Sequence, residues 1–115
     1  MLILEERSST REVLKESLQK LGCAVLFAES TEEIHQTFKA TRIDAVFADL
    51  CLRTISIRSI SRELKNQYPE TKFFLITGWK GELDKNMLSH DGIDAVFHKP
   101  LIFSKIRDAV LEHLG

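Results

Sequence analysis

The chain of 115 residues has little that would bind nucleic acid, cross a membrane or form a disulfide-stabilised fold. Its formal net charge is -1, whereas proteins that bind a nucleic-acid backbone usually carry a clear basic excess. No apolar run reaches the roughly 18 residues of a membrane span, and the N-terminus lacks the pattern of a signal peptide. The two cysteines, Cys23 and Cys51, are isolated and have no metal-ligand spacing. These absences predict a cytosolic protein with free thiols, without a membrane span and without direct nucleic-acid binding.

Five short apolar runs alternate with segments of helical periodicity. The runs are continuous, which is typical of strands that are covered on both faces of a sheet. They are Leu2–Leu4, Ala24–Ala28, Ala45–Ala48, Phe73–Thr77 and Ala95–Phe97. Strand–helix alternation with right-handed crossovers favours one α/β domain over residues 1–115, with an open, doubly wound sheet of parallel strands.

Capping patterns predict where several helices begin and end. Ser9 with Glu12, and Ser30 with Glu33, have the spacing of a capping box, in which the serine and the acid each bind a backbone amide of the first turn. Gly22 is expected to end the first helix. The other helices are expected from Ile57 to before Pro69, around residues 82–89, and from about Ile102 onward.

Polar residues follow the strands at the edge where open α/β sheets bind ligands. Glu5 and Glu6 follow the first strand, Asp49 the third, Thr77 ends the fourth, and Lys99 follows the fifth. If the strand order is 2-1-3-4-5, the three carboxylates converge and repel one another. A hard cation such as Mg²⁺ would relieve this repulsion, and Lys99 would add a second positive charge. Such a pocket suits a phosphoryl group transferred to Asp49, with Thr77 donating a hydrogen bond to it.

Four segments, in this order and spacing, resemble a response-regulator receiver domain over essentially the whole chain. They are Leu2–Glu6, Asp44–Leu50, Phe74–Gly78 and Gly92–Pro100. The resemblance implies a flavodoxin-like (βα)5 sheet of order 2-1-3-4-5. It implies that Asp49 takes a phosphoryl group from a sensor histidine kinase or a phosphotransfer protein. It also implies that Glu5, Glu6, Asp49 and the backbone carbonyl of Cys51 hold Mg²⁺.

The same resemblance implies a signalling switch rather than a metabolic enzyme, with at most self-phosphorylation and self-dephosphorylation. Thr77 and Lys99 would sense the phosphoryl group. They would then alter the face built from the fourth helix, the fifth strand and the fifth helix. That face would contact an output domain or effector protein, or a second copy of the chain in a homodimer.

Several positions depart from the family pattern. They are the all-glutamate acid pair Glu5–Glu6, Leu52–Arg53 instead of a Met-Pro step, Ile57 instead of a later glycine, and Val96 instead of an aromatic residue. Phe97 is aromatic, but adjacent residues of a strand point to opposite faces of the sheet. These departures support an alternative, a degenerate pseudo-receiver that binds proteins independently of phosphorylation.

Other functions have weaker support. A flavodoxin-like FMN-binding protein or a small phosphotransferase would need a hydroxyl-rich phosphate loop, of which Ser8–Thr10 is a faint hint. The GxSxG, GxxxxGK and GxGxxG patterns are absent, so hydrolase, nucleotide-hydrolysing and dinucleotide-binding functions have no motif. The four histidines lack the mutual spacing of a metal site. Four arginines are expected to be solvated charges of helices or loops: Arg7, Arg11, Arg53 and Arg58.

Overall fold

The fold is taken from a computed structural model, which describes residues 1–5, 8–49, 56–78 and 91–114. The described elements are β1 (Leu2–Leu4), α1 (Ser8–Lys20), β2 (Leu26–Phe27), α2 (Thr31–Ala40), β3 (Ala45–Asp49), α3 (Ile57–Gln67), β4 (Lys72–Thr77), β5 (Ala95–His98) and α4 (Phe103–Leu114). The helix predicted around residues 82–89 lies outside the described residues, so α4 is the C-terminal helix. Within the described ranges, every helix is too short or too polar to traverse a lipid bilayer.

The strands form one parallel sheet of order β2-β1-β3-β4-β5, as predicted. β3 lies in the middle, where Phe47 pairs with Ile3 of β1 and with Phe74 of β4. Every residue of β3 is buried, which explains why its apolar run is continuous. Because all these strands run in the same direction, their carboxyl ends meet at one edge of the sheet.

Helices cover the sheet on both faces. Apolar residues of α2 and α3 pack on one face, and those of α1 and α4 pack on the other. Val96 packs against the α2–α3 layer, whereas Phe97 lies in the α1–α4 layer. This confirms that Phe97 cannot take the place of an aromatic side chain at position 96.

β2 is shorter than its apolar run predicts, and it is not covered on both faces. Only Leu26 and Phe27 pair with β1, and both side chains are partly exposed because β2 is the outermost strand of the sheet. The guanidinium of Arg11 lies 4.5 Å from the centre of the Phe27 ring. The prediction that Arg11 is a solvated charge is therefore wrong, since a cation over an exposed ring stabilises both groups.

The pattern at Ser30 marks the N-cap of α2, whereas the pattern at Ser9 is displaced from the start of α1. The amide of Glu33 donates to Oγ of Ser30 at 3.1 Å, and Oε2 of Glu33 accepts from the amide of Glu29 at 2.9 Å. α1, however, begins at Ser8. Ser9 therefore lies inside the helix, within the one or two residues by which helix ends commonly differ from a sequence pattern.

Gly22 ends α1 as predicted. It has a left-handed backbone conformation, with φ of 81°. Its amide donates to the carbonyl of Gln19, and the amide of Cys23 donates to the carbonyl of Leu18, both at 3.0 Å. This is the Schellman arrangement, which favours glycine at the left-handed position.

Gly92 has nearly the same conformation, with φ of 80°, but crowded surroundings. A Cβ atom there would lie 2.9 Å from Cβ of Lys65, whereas a Cβ at Gly22 would meet nothing within 4 Å. We expect Gly22→Ala to lower the free energy of unfolding by about 1 kcal/mol through φ alone. Gly92→Ala should cost about 2 kcal/mol, because Cβ of Lys65 is fixed to the α3 backbone. Urea denaturation of both variants measures the difference, and equal losses would contradict the packing explanation.

Candidate functional site

The predicted polar residues meet at the carboxyl edge of the sheet. Glu5 directly follows β1, Asp49 is the last residue of β3, and Thr77 is the last residue of β4. Leu4 pairs with Ala48, so β1 and β3 end at the same level. The register therefore places both acids side by side, as the strand order predicts.

Lys99 joins the two acids. Its ammonium Nζ donates to Oδ2 of Asp49 at 2.6 Å and lies 3.5 Å from Oε2 of Glu5. The backbone positions this lysine, because its amide donates to the carbonyl of Thr77 at 2.8 Å just beyond β5. The Lys99–Pro100 peptide bond that follows is cis.

The charged groups of the site are withdrawn from water. The exposed fraction of the side chain is 2% for Glu5, 8% for Asp49 and 20% for Lys99. Thr77 is completely buried at the same edge. Two carboxylates and one ammonium together carry a net negative charge, which is energetically costly in a site that water hardly reaches. The site therefore favours the entry of a further cation.

The oxygen atoms of Glu5 and Asp49 fit Mg²⁺, which prefers carboxylate ligands in proteins. Both carboxylates are buried and face the same ammonium, so a divalent ion beside them would offset the negative charge that Lys99 leaves uncompensated. The other predicted ligands, Glu6 and Cys51, lie outside the described residues. Within the described ranges, no group of three or more His, Cys, Asp or Glu residues gathers as a metal site. The described part of the chain thus supplies two of the predicted ligands.

A second ionic cluster, which the sequence patterns do not predict, joins α3 to the segment before β5. Asp91 has an exposed fraction of 1%. Its Oδ2 accepts from Nε of Arg58 at 2.6 Å, and its Oδ1 accepts from Nη2 of Arg62 at 2.7 Å. These hydrogen bonds, the Arg58 bond first and the Arg62 bond second, hold the pKa of Asp91 below its ordinary value. Arg58 is 47% exposed, as a solvated charge would be, but its guanidinium is also paired with Asp91, which the prediction misses. Arg7 and Arg53 lie outside the described residues.

The next turn of α3 makes a similar contact. Oδ2 of Asp94 accepts from Nζ of Lys65 and from the amide of Phe73, both at 2.8 Å. Nζ of Lys65 also donates to the carbonyl of Thr71 at 2.8 Å. These contacts connect one side of α3 to the start of β4 and to the segment before β5.

Comparison with protein-family models assigns the chain to a family. A model described as "Response regulator receiver domain" matches residues 1–111. The chain belongs to the response regulator receiver domain family. Receiver domains are signalling domains of two-component systems, and the strand order of the sheet agrees with their flavodoxin-like fold.

Proteins similar to this receiver domain include two sensor proteins and a response regulator. The autoinducer 1 sensor kinase/phosphatase LuxN of Vibrio campbellii is 24% identical over 107 residues, which are 93% of this chain and only 12% of LuxN. The response regulator TrrA of Thermotoga maritima, solved in complex with Mg²⁺-BeF, is 25% identical with a TM-score of 0.83, covering 98% of this chain and 96% of TrrA. The receiver domain of the sensor histidine kinase PA1611 of Pseudomonas aeruginosa has the same fold and was solved with magnesium in its active-site cleft. It is 18% identical with a TM-score of 0.81, and the match covers 96% of this chain and 93% of the PA1611 receiver.

Proposed function

We propose that this receiver domain accepts a phosphoryl group on Asp49 from a phosphohistidine of a sensor histidine kinase or a phosphotransfer protein. A carboxylate oxygen of Asp49 would form a bond to phosphorus as the phosphorus–nitrogen bond of the donor breaks. The observation that carries the proposal is the 2.6 Å contact between the Lys99 ammonium and Asp49, beside the buried carboxylate of Glu5. Charges fixed before the reaction are well suited to stabilise an incoming phosphoryl group.

In this proposal Mg²⁺ is held by Glu5, Glu6, Asp49 and the backbone carbonyl of Cys51. When bound, the ion would neutralise charge on the phosphoryl oxygens. The magnesium in the PA1611 receiver and the Mg²⁺-BeF in TrrA support this part by analogy. The two buried carboxylates of Glu5 and Asp49 support it from the chemistry of this chain.

Lys99 and Thr77 would respond once Asp49 is modified. The Lys99 ammonium already faces the Asp49 carboxylate, so it would pair with phosphoryl oxygens instead. The hydroxyl of Thr77 would donate a hydrogen bond to another of them. The signal would reach β5 and α4 and alter a face that contacts an output domain, an effector protein or a second copy of the chain. The receiver would act in the cytoplasm as one domain over residues 1–115.

A pseudo-receiver is the second candidate, and Val96 favours it. The side chain at this position packs against the α2–α3 layer and has no ring that could change its rotamer at the surface. In this case the domain would bind its partner without phosphorylation.

Direct phosphorylation distinguishes these two functions. The chain is incubated with Mg²⁺ and acetyl phosphate, or with a phosphorylated histidine kinase, and its intact mass is measured. We expect phosphoryl uptake by the wild-type chain and by Asp108→Asn, which removes an exposed carboxylate on α4. Asp49→Asn should take up nothing, and chelation of Mg²⁺ should prevent the wild-type reaction. An unmodified wild-type chain under all these conditions would support the pseudo-receiver instead.

A further inference from the structure

A second concavity lies at the opposite edge of the sheet from Asp49, where β3 and β4 begin. Its volume is about 530 Å³, which falls in the range of roughly 300–1,000 Å³ that is usual for small-molecule sites. It opens between the loop that leads from α2 to β3 and the loop that leads from α3 to β4. The residues that matter for its chemistry are Phe38, Arg42, Ile43, Asp44, Tyr68 and Glu70. We call it the amino-edge pocket.

The walls of the amino-edge pocket are well supported. The rings of Phe38 and Tyr68 have centroids 4.8 Å apart and planes tilted by 37°. Oγ1 of Thr71 donates to the carbonyl of Ile43 at 2.7 Å, and the amide of Lys72 donates to the carbonyl of Asp44 at 3.0 Å. These bonds tie the two loops together, so the pocket needs little rearrangement to bind a ligand.

The rim of the pocket is acidic on balance. Asp44 and Glu70 contribute two carboxylates, and Arg42 contributes one guanidinium. Nε of Arg42 lies 3.4 Å from Oδ1 of Asp44, so these two charges offset each other and Glu70 carries the excess negative charge of the rim. An aromatic wall below a negative rim favours ligands that join a flat apolar group to a positive charge, because aromatic rings pack on one another and a carboxylate attracts a cation.

We infer that the amino-edge pocket binds a small organic cation, an amine or guanidinium joined to a flat apolar group. The apolar group would lie mainly against Tyr68, which the largely buried ring of Phe38 supports, and the cation would face Asp44 and Glu70. Asp44 precedes β3 and Asp49 ends it, so this site is separate from the phosphoacceptor edge. Binding would not require phosphorylation of Asp49.

Two probes with the same ring and opposite charge test the inference. Phenethylamine and 3-phenylpropionate are titrated into the complete ¹⁵N-labelled chain, and backbone amide shifts are followed by NMR. Phenethylamine should give saturable shifts centred on residues 41–44 and 67–71. The anion should bind at least about fivefold more weakly. The absence of saturable shifts with phenethylamine, shifts centred elsewhere, or equal affinity for the two probes would overturn the inference.

Variants separate the aromatic wall from the acidic rim. Tyr68→Leu keeps an apolar side chain but removes the ring that would pack on the ring of the probe, and should weaken phenethylamine binding by about fivefold. The double variant Asp44→Asn, Glu70→Gln should bind the two probes about equally, and it leaves the buried residues unchanged. Asp108→Asn on α4 is the matched control and should behave as the wild type. An unchanged preference for the cation in the double variant would overturn the role of the rim, even if Tyr68→Leu does not fold.

Discussion

Replacing Lys99 with methionine should lower the free energy of unfolding by about 3 kcal/mol at neutral pH. The lysine ammonium lies 2.6 Å from Oδ2 of Asp49 and 3.5 Å from Oε2 of Glu5. Methionine keeps most of the apolar stem but provides no charge. Both acids are almost inaccessible to water, so water cannot replace the ammonium without opening the site.

A double-mutant cycle with Asp49→Asn tests whether charge is the cause. In the Lys99→Met background, Asp49→Asn should recover at least about 1 kcal/mol, because it removes one of two facing carboxylates. In the wild-type background it also removes a hydrogen bond, so its effect should be clearly less favourable. Urea unfolding of the four proteins in metal-free buffer measures the coupling. Lys105→Met, at an exposed position of α4, should cost less than about 0.5 kcal/mol. Strictly additive effects of Lys99→Met and Asp49→Asn would show that the pair is not coupled.

The sheet could be predicted because its strands obey one simple rule. A run of consecutive apolar residues in an α/β chain is buried on both faces, and β3 and β4 follow this rule almost residue by residue. β2 does not, because an edge strand has only one neighbour. Its apolar run therefore predicts a longer strand than Leu26–Phe27.

The parallel direction of the strands explains how much of the candidate site is predictable. Parallel strands end at one edge, so Glu5, Asp49, Thr77 and Lys99 come together once the strand order is known. Their chemical roles, and the predicted contributions of Glu6 and Cys51, stay predictions. The matched residues and the order of the strands identify the family, whereas phosphoryl transfer requires the experiment on Asp49.

The contacts of α3 could not be predicted, because no local pattern encodes them. Arg58 and Asp91 are 33 residues apart in the chain, and Arg62 and Asp91 are 29 apart. Such charges have no periodicity that distinguishes a buried pair from a solvated one. The amino-edge pocket is hidden for the same reason, since two loops from different units of the fold form it.

The buried Asp91 should make a large and pH-dependent contribution to stability. Asp91→Asn keeps the size of the side chain but removes the charge that two guanidiniums bind, and should cost about 2 kcal/mol at neutral pH. The loss is smaller than for a fully enclosed ion pair, because Arg58 and Arg62 are 47% and 49% exposed and can turn toward water. Asp108→Asn, whose carboxylate is 69% exposed beside Arg107, should cost less than about 0.5 kcal/mol.

The direction of the pH dependence follows from the lowered pKa of Asp91. In the unfolded chain this carboxyl group titrates near its ordinary value of about 3.9. The folded chain holds the charged form more tightly, so the stabilisation is complete above that pH and is lost as the pH falls through the folded pKa. The difference in unfolding free energy between the wild type and Asp91→Asn should therefore shrink from about pH 4 downward, measured by urea denaturation at each pH. A difference that stays constant from about pH 7 to about pH 3 would mean that shape and packing, rather than the charge of Asp91, hold α3 against the segment before β5.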